Sequence, residues 1–147
     1  MRSILLRIGI VAAFVLGAFL LRGFLPGSAG SLAVGDCFDR PTELEGTVDD
    51  VQHHPCTDTH TAEVVFVGDF APATDLYPSN QEFRTFFETT CTQSFNAYTG
   101  LDFVTDPTYD MAAFTPTIDG WGGGDHKVIC YALRIDEGPM NASIKKL

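Results

Sequence analysis

Positive charge is scarce in most of this sequence. Beyond residue 29 there are six lysines and arginines against all nineteen acidic residues, which gives a formal charge of −13. A nucleic-acid-binding protein needs a basic stripe to neutralise phosphates, and a reader of anionic lipids needs a polybasic patch. We therefore expect no nucleic-acid partner. The length of 147 residues predicts one domain with a short appendage.

Charge is absent from residues 8–21, which lie inside an apolar stretch of 22 residues at 4–25. A helix of that length covers about 33 Å, enough to cross the hydrocarbon core of a bilayer. Arg7 and Arg22 lie near its ends, where long side chains reach the headgroups. The sequence predicts an N-terminal membrane anchor at 1–25, a short linker at 26–31 (PGSAGS) and one domain at 32–147.

The basic residues also predict the orientation of this anchor. The N-terminal amine, Arg2 and Arg7 outweigh Arg22, so the positive-inside rule places the N-terminus in the cytoplasm and the domain outside. We expect a single-pass protein of the cell membrane with an extracytoplasmic domain. A cleaved secretory signal shares the basic start and apolar middle and stays open as an alternative, although Arg22 interrupts the approach to a cleavage site.

The four cysteines are even in number and predicted to lie outside the cytoplasm, where disulfides persist. They are Cys37, Cys56, Cys91 and Cys130. Three pairings are possible, and we favour Cys37 with Cys56 and Cys91 with Cys130. The first pair would close one short loop, and the second would join a helix to a strand. Loops of about 20 and 40 residues are worth about 3 and 4 kcal/mol in the chain-entropy model. We interpret both bridges as structural.

Hydrophobic spacing predicts an α+β fold with a single helix packed across a disulfide-linked antiparallel sheet. Aromatic residues recur at three- and four-residue steps over residues 80–99, Ser79 and Glu82 have the spacing of a capping box, and Gly100 suits a left-handed stop. Residues 63–70 and 127–135 are typical of central strands, and 110–115 of a strand ending at Pro116. Residues 48–52 and 141–144 are weaker strand candidates, and 121–125 is predicted to be a turn.

No motif of catalysis or cofactor binding stands out, and we predict a non-enzymatic protein without cofactor or metal. There is no G-x-S-x-G elbow, and the glycines at 122–124 precede a predicted strand rather than a helix. His53, His54, Cys56 and His60 lie within eight positions but match no standard zinc spacing. The alternative function is a secreted or anchored metal-dependent hydrolase that uses the three histidines. A local hydrogen bond between His60 and Glu63 is the simpler interpretation.

Several short motifs together resemble the septum formation domain of actinobacterial membrane proteins. They are G-D-C-F at 35–38, P-C-T at 55–57, H-x-x-E-V at 60–64, Tyr77-Pro78, Cys91, Trp121, and Gly124-Asp125 leading to V-x-C at 128–130. The resemblance covers about residues 32–143. It implies a membrane-tethered extracytoplasmic module linked to cell division or the envelope, and it supplies no known catalytic residues. From the apolar N-terminus, the cysteines and the lack of a catalytic motif, we expect the outer domain to bind a protein or cell-envelope partner. Asp36, His60 and Glu63, which lie in these motifs, form a candidate polar cluster.

Overall fold

The computed structural model describes residues 26–42, 47–71 and 74–147. Six strands and a helical segment account for most of the regular structure. The strands are β1 (Pro26–Ser28), β2 (Cys37–Asp39), β3 (Asp50–His54), β4 (Ala62–Asp69), β5 (Tyr109–Phe114) and β6 (Lys127–Arg134). The helices are α1 (Asn80–Phe86), a π-helical turn (Phe87–Cys91), α2 (Thr92–Thr99) and the short α3 (Ile118–Gly122), with a 3₁₀ turn at Ala29–Ser31.

All six strands form one antiparallel sheet in the order β1-β3-β2-β4-β6-β5. The long strands β4 and β6 are neighbours inside the sheet; β4 is buried over its first half and β6 along most of its length. Both strands are rich in β-branched and aromatic residues, as a strand with two covered faces requires. The predicted α+β class with an antiparallel sheet is confirmed.

The main helix packs on one face of this sheet and runs without a break from α1 through the π turn to α2. Ser79 and Glu82 form the predicted capping box at its start, and Gly100 ends it with a φ of 77°. The aromatic stripe is core: Phe95 is fully buried beside Val65, Cys91 and Cys130. The predicted helix is therefore confirmed, with one wide turn in its middle.

The opposite face of the sheet is concave and buries a second apolar cluster. Phe38 of β2 and Phe114 of β5 have ring centroids 6.0 Å apart, and both rings contact Tyr131. These two strands are three positions apart, which in a flat sheet amounts to about 14 Å. The sheet therefore curls, and Lys127 Nζ donates to the Gly30 carbonyl at 2.9 Å across the gap.

Two local predictions were wrong and a third holds only in part. Residues 26–31 are not a linker: β1 pairs with β3, and Ala29 is buried in the concave cluster. Residues 141–144 form no strand, because this segment bonds to the Glu63 side chain instead of to a sheet edge. The segment predicted as a turn at 121–125 turns at residues 123–124, but it begins inside α3, where the Thr117 side chain caps the helix and Trp121 is buried.

The predicted membrane anchor at 1–25 lies outside the described residues. Within the described part of the chain, no helix has the length and apolar character needed to cross a bilayer.

Candidate functional site

A buried carboxylate lies where β2, β4, α2 and the C-terminal segment meet. Glu63 of β4 is paired across the sheet with Cys37 of β2 and is completely buried. Its Oε1 accepts hydrogen bonds from the hydroxyls of Tyr98 and Ser143, both at 2.6 Å, and its Oε2 accepts one from the Ile144 amide at 2.8 Å. These three donors replace the water that a charged carboxylate loses on burial.

The same hydrogen bonds join three separate parts of the chain. Tyr98 belongs to α2, Glu63 to the sheet and Ser143 to the C-terminal segment. Burial, followed by the hydrogen bond to the Glu63 carboxylate, raises the pKa of Tyr98 to about 12. The phenol therefore stays protonated over the physiological range and remains a donor to Glu63.

His60 lies beside this carboxylate and is also completely buried. Its backbone pairs with that of Met140, and its Nδ1 lies 2.7 Å from the Asp58 carbonyl oxygen. A carbonyl only accepts, so Nδ1 carries a proton, and in the neutral imidazole Nε2 then presents the lone pair. That Nε2 is buried and has no hydrogen-bond partner.

The structure brings His60 and Glu63 together but not in the predicted way. No hydrogen bond joins these two described side chains; instead, their ligand atoms and the Cys37 sulfur all lie within 4.8 Å of one another. Asp36, the third predicted member, has a different role. Its Oδ2 accepts from the Ala33 amide at 2.9 Å and so stabilises the turn that precedes β2.

Both predicted disulfides are confirmed. Cys37 is bonded to Cys56 with Cα atoms 5.2 Å apart, and Cys91 to Cys130 with Cα atoms 5.8 Å apart. The first bridge ties β2 to the loop after β3 and borders the Glu63 carboxylate. The second joins the π turn of the main helix to β6, inside the apolar core. Both bridges therefore connect elements of the sheet or its covering helix.

The histidines at 53, 54 and 60 do not converge. His53 pairs with Phe38 and His54 with Cys37, so the two imidazoles project from opposite faces of β3. His54 Nε2 lies 2.8 Å from Asp39 Oδ2 on the strand pair. His53 Nε2 is buried without a partner on the other face. The three-histidine cluster that the alternative hydrolase function would use is therefore not formed among the described residues.

A cleft of about 510 Å³ opens on the concave face of the sheet. Its walls come from both ends of the curled sheet and are mostly apolar, including Ala29, Val48, Ala112, Phe114, Ile129 and Tyr131. Lys127 and Asp125 lie at the same cleft. Burial raises the pKa of Tyr131 at its floor.

Sequence reasoning missed the donors that hold Glu63. Tyr98 was assigned to the apolar stripe of the helix, and Ser143 lies 80 residues from Glu63 along the chain. The local sequence carries no signal for such a long-range contact, and a strand at residues 141–144, as predicted, gave no reason to expect Ser143 beside Glu63.

These features define a class: a small α+β domain with two disulfides, whose polar cluster is enclosed by the fold. Residues 28–132 match the protein family described as Septum formation. The chain belongs to this family, which confirms the resemblance seen in its motifs. No curated protein and no solved structure matches the chain.

Proposed function

We propose that this protein is a membrane-anchored extracytoplasmic module that binds a protein or cell-envelope partner during septum formation and does not catalyse a reaction. The observation that carries the proposal is the family match over residues 28–132. A role in cell division is what the description of that family suggests.

The burial of the polar cluster supports a binding role rather than catalysis. Glu63 and His60 are both completely enclosed, whereas a general acid or base must reach the substrate proton within hydrogen-bond distance. The partly exposed pair His54–Asp39 resembles the base and orienting group of a hydrolase. No serine, threonine or cysteine side chain among the described residues donates to His54, so the nucleophile of such a triad is missing.

The disulfides and the apolar N-terminus support an extracytoplasmic location. Disulfides persist in oxidising compartments and are rare in the cytosol, and this domain has two. The stretch at 4–25 has the length of a membrane span. β1 begins at Pro26, so an anchor at 1–25 would hold the sheet close to the membrane surface.

The charge of the domain favours a partner that is not anionic. Acidic side chains such as Asp50, Asp69, Asp119 and Glu137 are exposed, and the formal charge beyond residue 29 is −13. Such a surface is repelled by anionic headgroups and by nucleic-acid phosphates, and it attracts cationic surfaces. A neutral or basic segment of a division protein, or of an envelope polymer, therefore fits best.

A localisation experiment in the source cell tests this function. A fluorescent protein that matures outside the cytoplasm is fused to the C-terminus, and the gene is separately deleted. We expect fluorescence concentrated at the division site and a division defect in the deletion strain. A matched variant, with residues 1–25 replaced by a cleaved secretory signal, should lose the septal pattern. Evenly spread fluorescence together with normal division would contradict the proposal.

Catalysis is addressed separately with purified protein. A broad hydrolase screen compares wild type with His60→Ala and with His54→Ala. We expect no turnover above background for any of the three. An activity present in wild type and lost in one variant would instead support the hydrolase alternative.

A further inference from the structure

Three metal-ligating side chains meet inside the domain. Cys37, His60 and Glu63 are buried, and one ligand atom from each lies within 4.8 Å of the other two. Because His60 Nδ1 is engaged with the Asp58 carbonyl, the nitrogen free to bind a cation is Nε2. That lone pair is buried and has no partner.

The electrostatics of this position favour a cation. Glu63 is completely buried, and none of the salt bridges formed by the described residues involves it. Its Oε2 accepts a single hydrogen bond, from Ile144, although a carboxylate oxygen has two lone pairs. A free carboxylate lone pair therefore lies near a free imidazole lone pair, and a cation would satisfy both.

The disulfide decides whether such an ion can be held. A bridged sulfur is a poor ligand, and the thiolate is the form that binds metals. In the bridged protein only His60 and Glu63 are available. We propose that reduction of the Cys37–Cys56 bridge converts this cluster into a zinc site whose four ligands are Cys37, Cys56, His60 and Glu63.

The chemistry balances with a dithiol as the reductant. The bridge between Cys37 and Cys56 accepts two electrons and two protons and becomes two thiols, while the dithiol loses the same number and becomes a disulfide. Binding of Zn²⁺ then releases one proton from each of the two thiols. Zinc binds the neutral imidazole through one nitrogen, and the hydrogen bond from His60 Nδ1 to the Asp58 carbonyl leaves Nε2 as that nitrogen.

The dimensions suit a tetrahedral ion after a small contraction. Zinc bonds of about 2.0 to 2.3 Å place neighbouring ligand atoms about 3.6 Å apart, compared with separations of up to 4.8 Å between the present atoms. Cys56 is bonded to Cys37, so its sulfur lies next to the cluster, although outside the group whose ligand atoms are all within 4.8 Å, and it must turn toward His60 and Glu63 once the bridge opens. Cys56 is also partly exposed whereas Cys37 is buried, which gives reductant and metal a route from the surface.

The second disulfide provides a control within the same molecule. Cys91 and Cys130 lie in the apolar core among Phe95 and Trp121. No histidine or carboxylate among the described residues completes a ligand group with either sulfur. The inference does not depend on the proposed binding partner, because it concerns a cluster enclosed by the domain.

The test uses the full chain, oxidised or reduced with a non-chelating phosphine, and titrated with Zn²⁺ in competition with a chromogenic chelator. We expect one zinc per reduced chain and none per oxidised chain. Zinc should protect Cys37 and Cys56 from alkylation but leave Cys91 and Cys130 as reactive as before, as measured by peptide mass spectrometry. With Co²⁺ in place of zinc, thiolate-to-metal charge-transfer absorption should appear.

His60→Ala should weaken zinc binding by at least about tenfold, because mutating even a residue that only hydrogen-bonds to a metal ligand lowers metal affinity by that much. His54→Ala should leave zinc binding unchanged. Cys37→Ser, which removes one of the proposed thiolate ligands, should independently weaken zinc binding. The inference is overturned if the reduced wild type binds no zinc, if the oxidised protein binds it equally, or if His60→Ala binds as tightly as wild type. Thiols of an unfolded chain would bind zinc without His60, so this last result would show that the folded cluster is not the zinc site.

Discussion

Glu63 joins three separate segments of the chain. It accepts from a helix residue, Tyr98, and from two neighbours in the C-terminal segment, Ser143 and Ile144. A buried charge stabilises a fold only when its hydrogen bonds are complete, and the loss of one partner costs more than the bond itself contributes. The position therefore tolerates little change.

Glu63→Gln tests this dependence at the level of one atom. The amide oxygen can still accept from Tyr98 and Ser143, but the new NH₂ group faces the Ile144 amide, and two donors then oppose each other. We expect the free energy of unfolding to fall by about 1–3 kcal/mol, measured by urea denaturation under non-reducing conditions. Glu88→Gln, an exposed change on the main helix, should stay within about 0.5 kcal/mol of wild type. Equal free energies for the two variants would contradict this account.

At the scale of elements, the end of the main helix depends on a backbone conformation that few residues adopt. Gly100 has a φ of 77°, and its amide donates to the Asn96 carbonyl at 2.9 Å. An added Cβ would also approach the Lys146 side chain to 3.2 Å. Since a left-handed residue with a side chain is strained, the glycine fixes where α2 stops.

Gly100→Ala should therefore lower the free energy of unfolding by about 1 kcal/mol. Gly122→Ala is the matched control: it lies in α3, does not have a positive φ, and its Cβ would meet nothing within 4 Å. We expect that control to be neutral or to stabilise the protein by up to about 1 kcal/mol, because alanine has fewer backbone conformations than glycine in the unfolded chain. The two variants are compared by urea denaturation. A loss of the same size in both would show that φ at Gly100 is not the cause.

The elements that could be predicted from sequence are those whose signals are local. The capping residues Ser79 and Glu82, the aromatic spacing and Gly100 all lie within or beside the helix they define. The central strands β4 and β6 likewise appear as continuous apolar runs. By contrast, β1 is a strand only because β3 lies beside it, and Glu63 is held by residues 35 to 81 positions away. No local pattern encodes such contacts, which is why residues 26–31 and 141–144 were misassigned.

At the scale of the whole molecule, the two disulfides and the two apolar clusters stabilise different parts of the sheet. One bridge fastens the main helix to β6, and the other closes the loop after β3 onto β2. The concave cluster around Phe38 and Tyr131 holds the curl of the sheet. The molecule is thus stabilised on both faces, and the tyrosines that lie in these interfaces link its stability to pH.

Alkaline pH should destabilise the domain through these tyrosines. Burial is the main cause that raises the pKa of Tyr98, Tyr109 and Tyr131 above the ordinary value of 10.0. A group whose pKa is higher in the folded state contributes its full stabilisation below pH 10, and this contribution is lost as the pH rises toward the folded-state value. The contribution of these tyrosines to the free energy of unfolding should thus be constant up to about pH 9 and fall above about pH 10, as measured by urea denaturation across that range.

Tyr131→Phe provides the control for this pH dependence. Its hydroxyl is not a donor in any hydrogen bond among the described residues, so the substitution removes a titrating group at little cost to packing. The fall in stability above about pH 10 should become shallower in the variant. An identical slope for wild type and Tyr131→Phe would mean that Tyr131 titrates alike in the folded and unfolded states, and that the alkaline loss arises from the other two tyrosines.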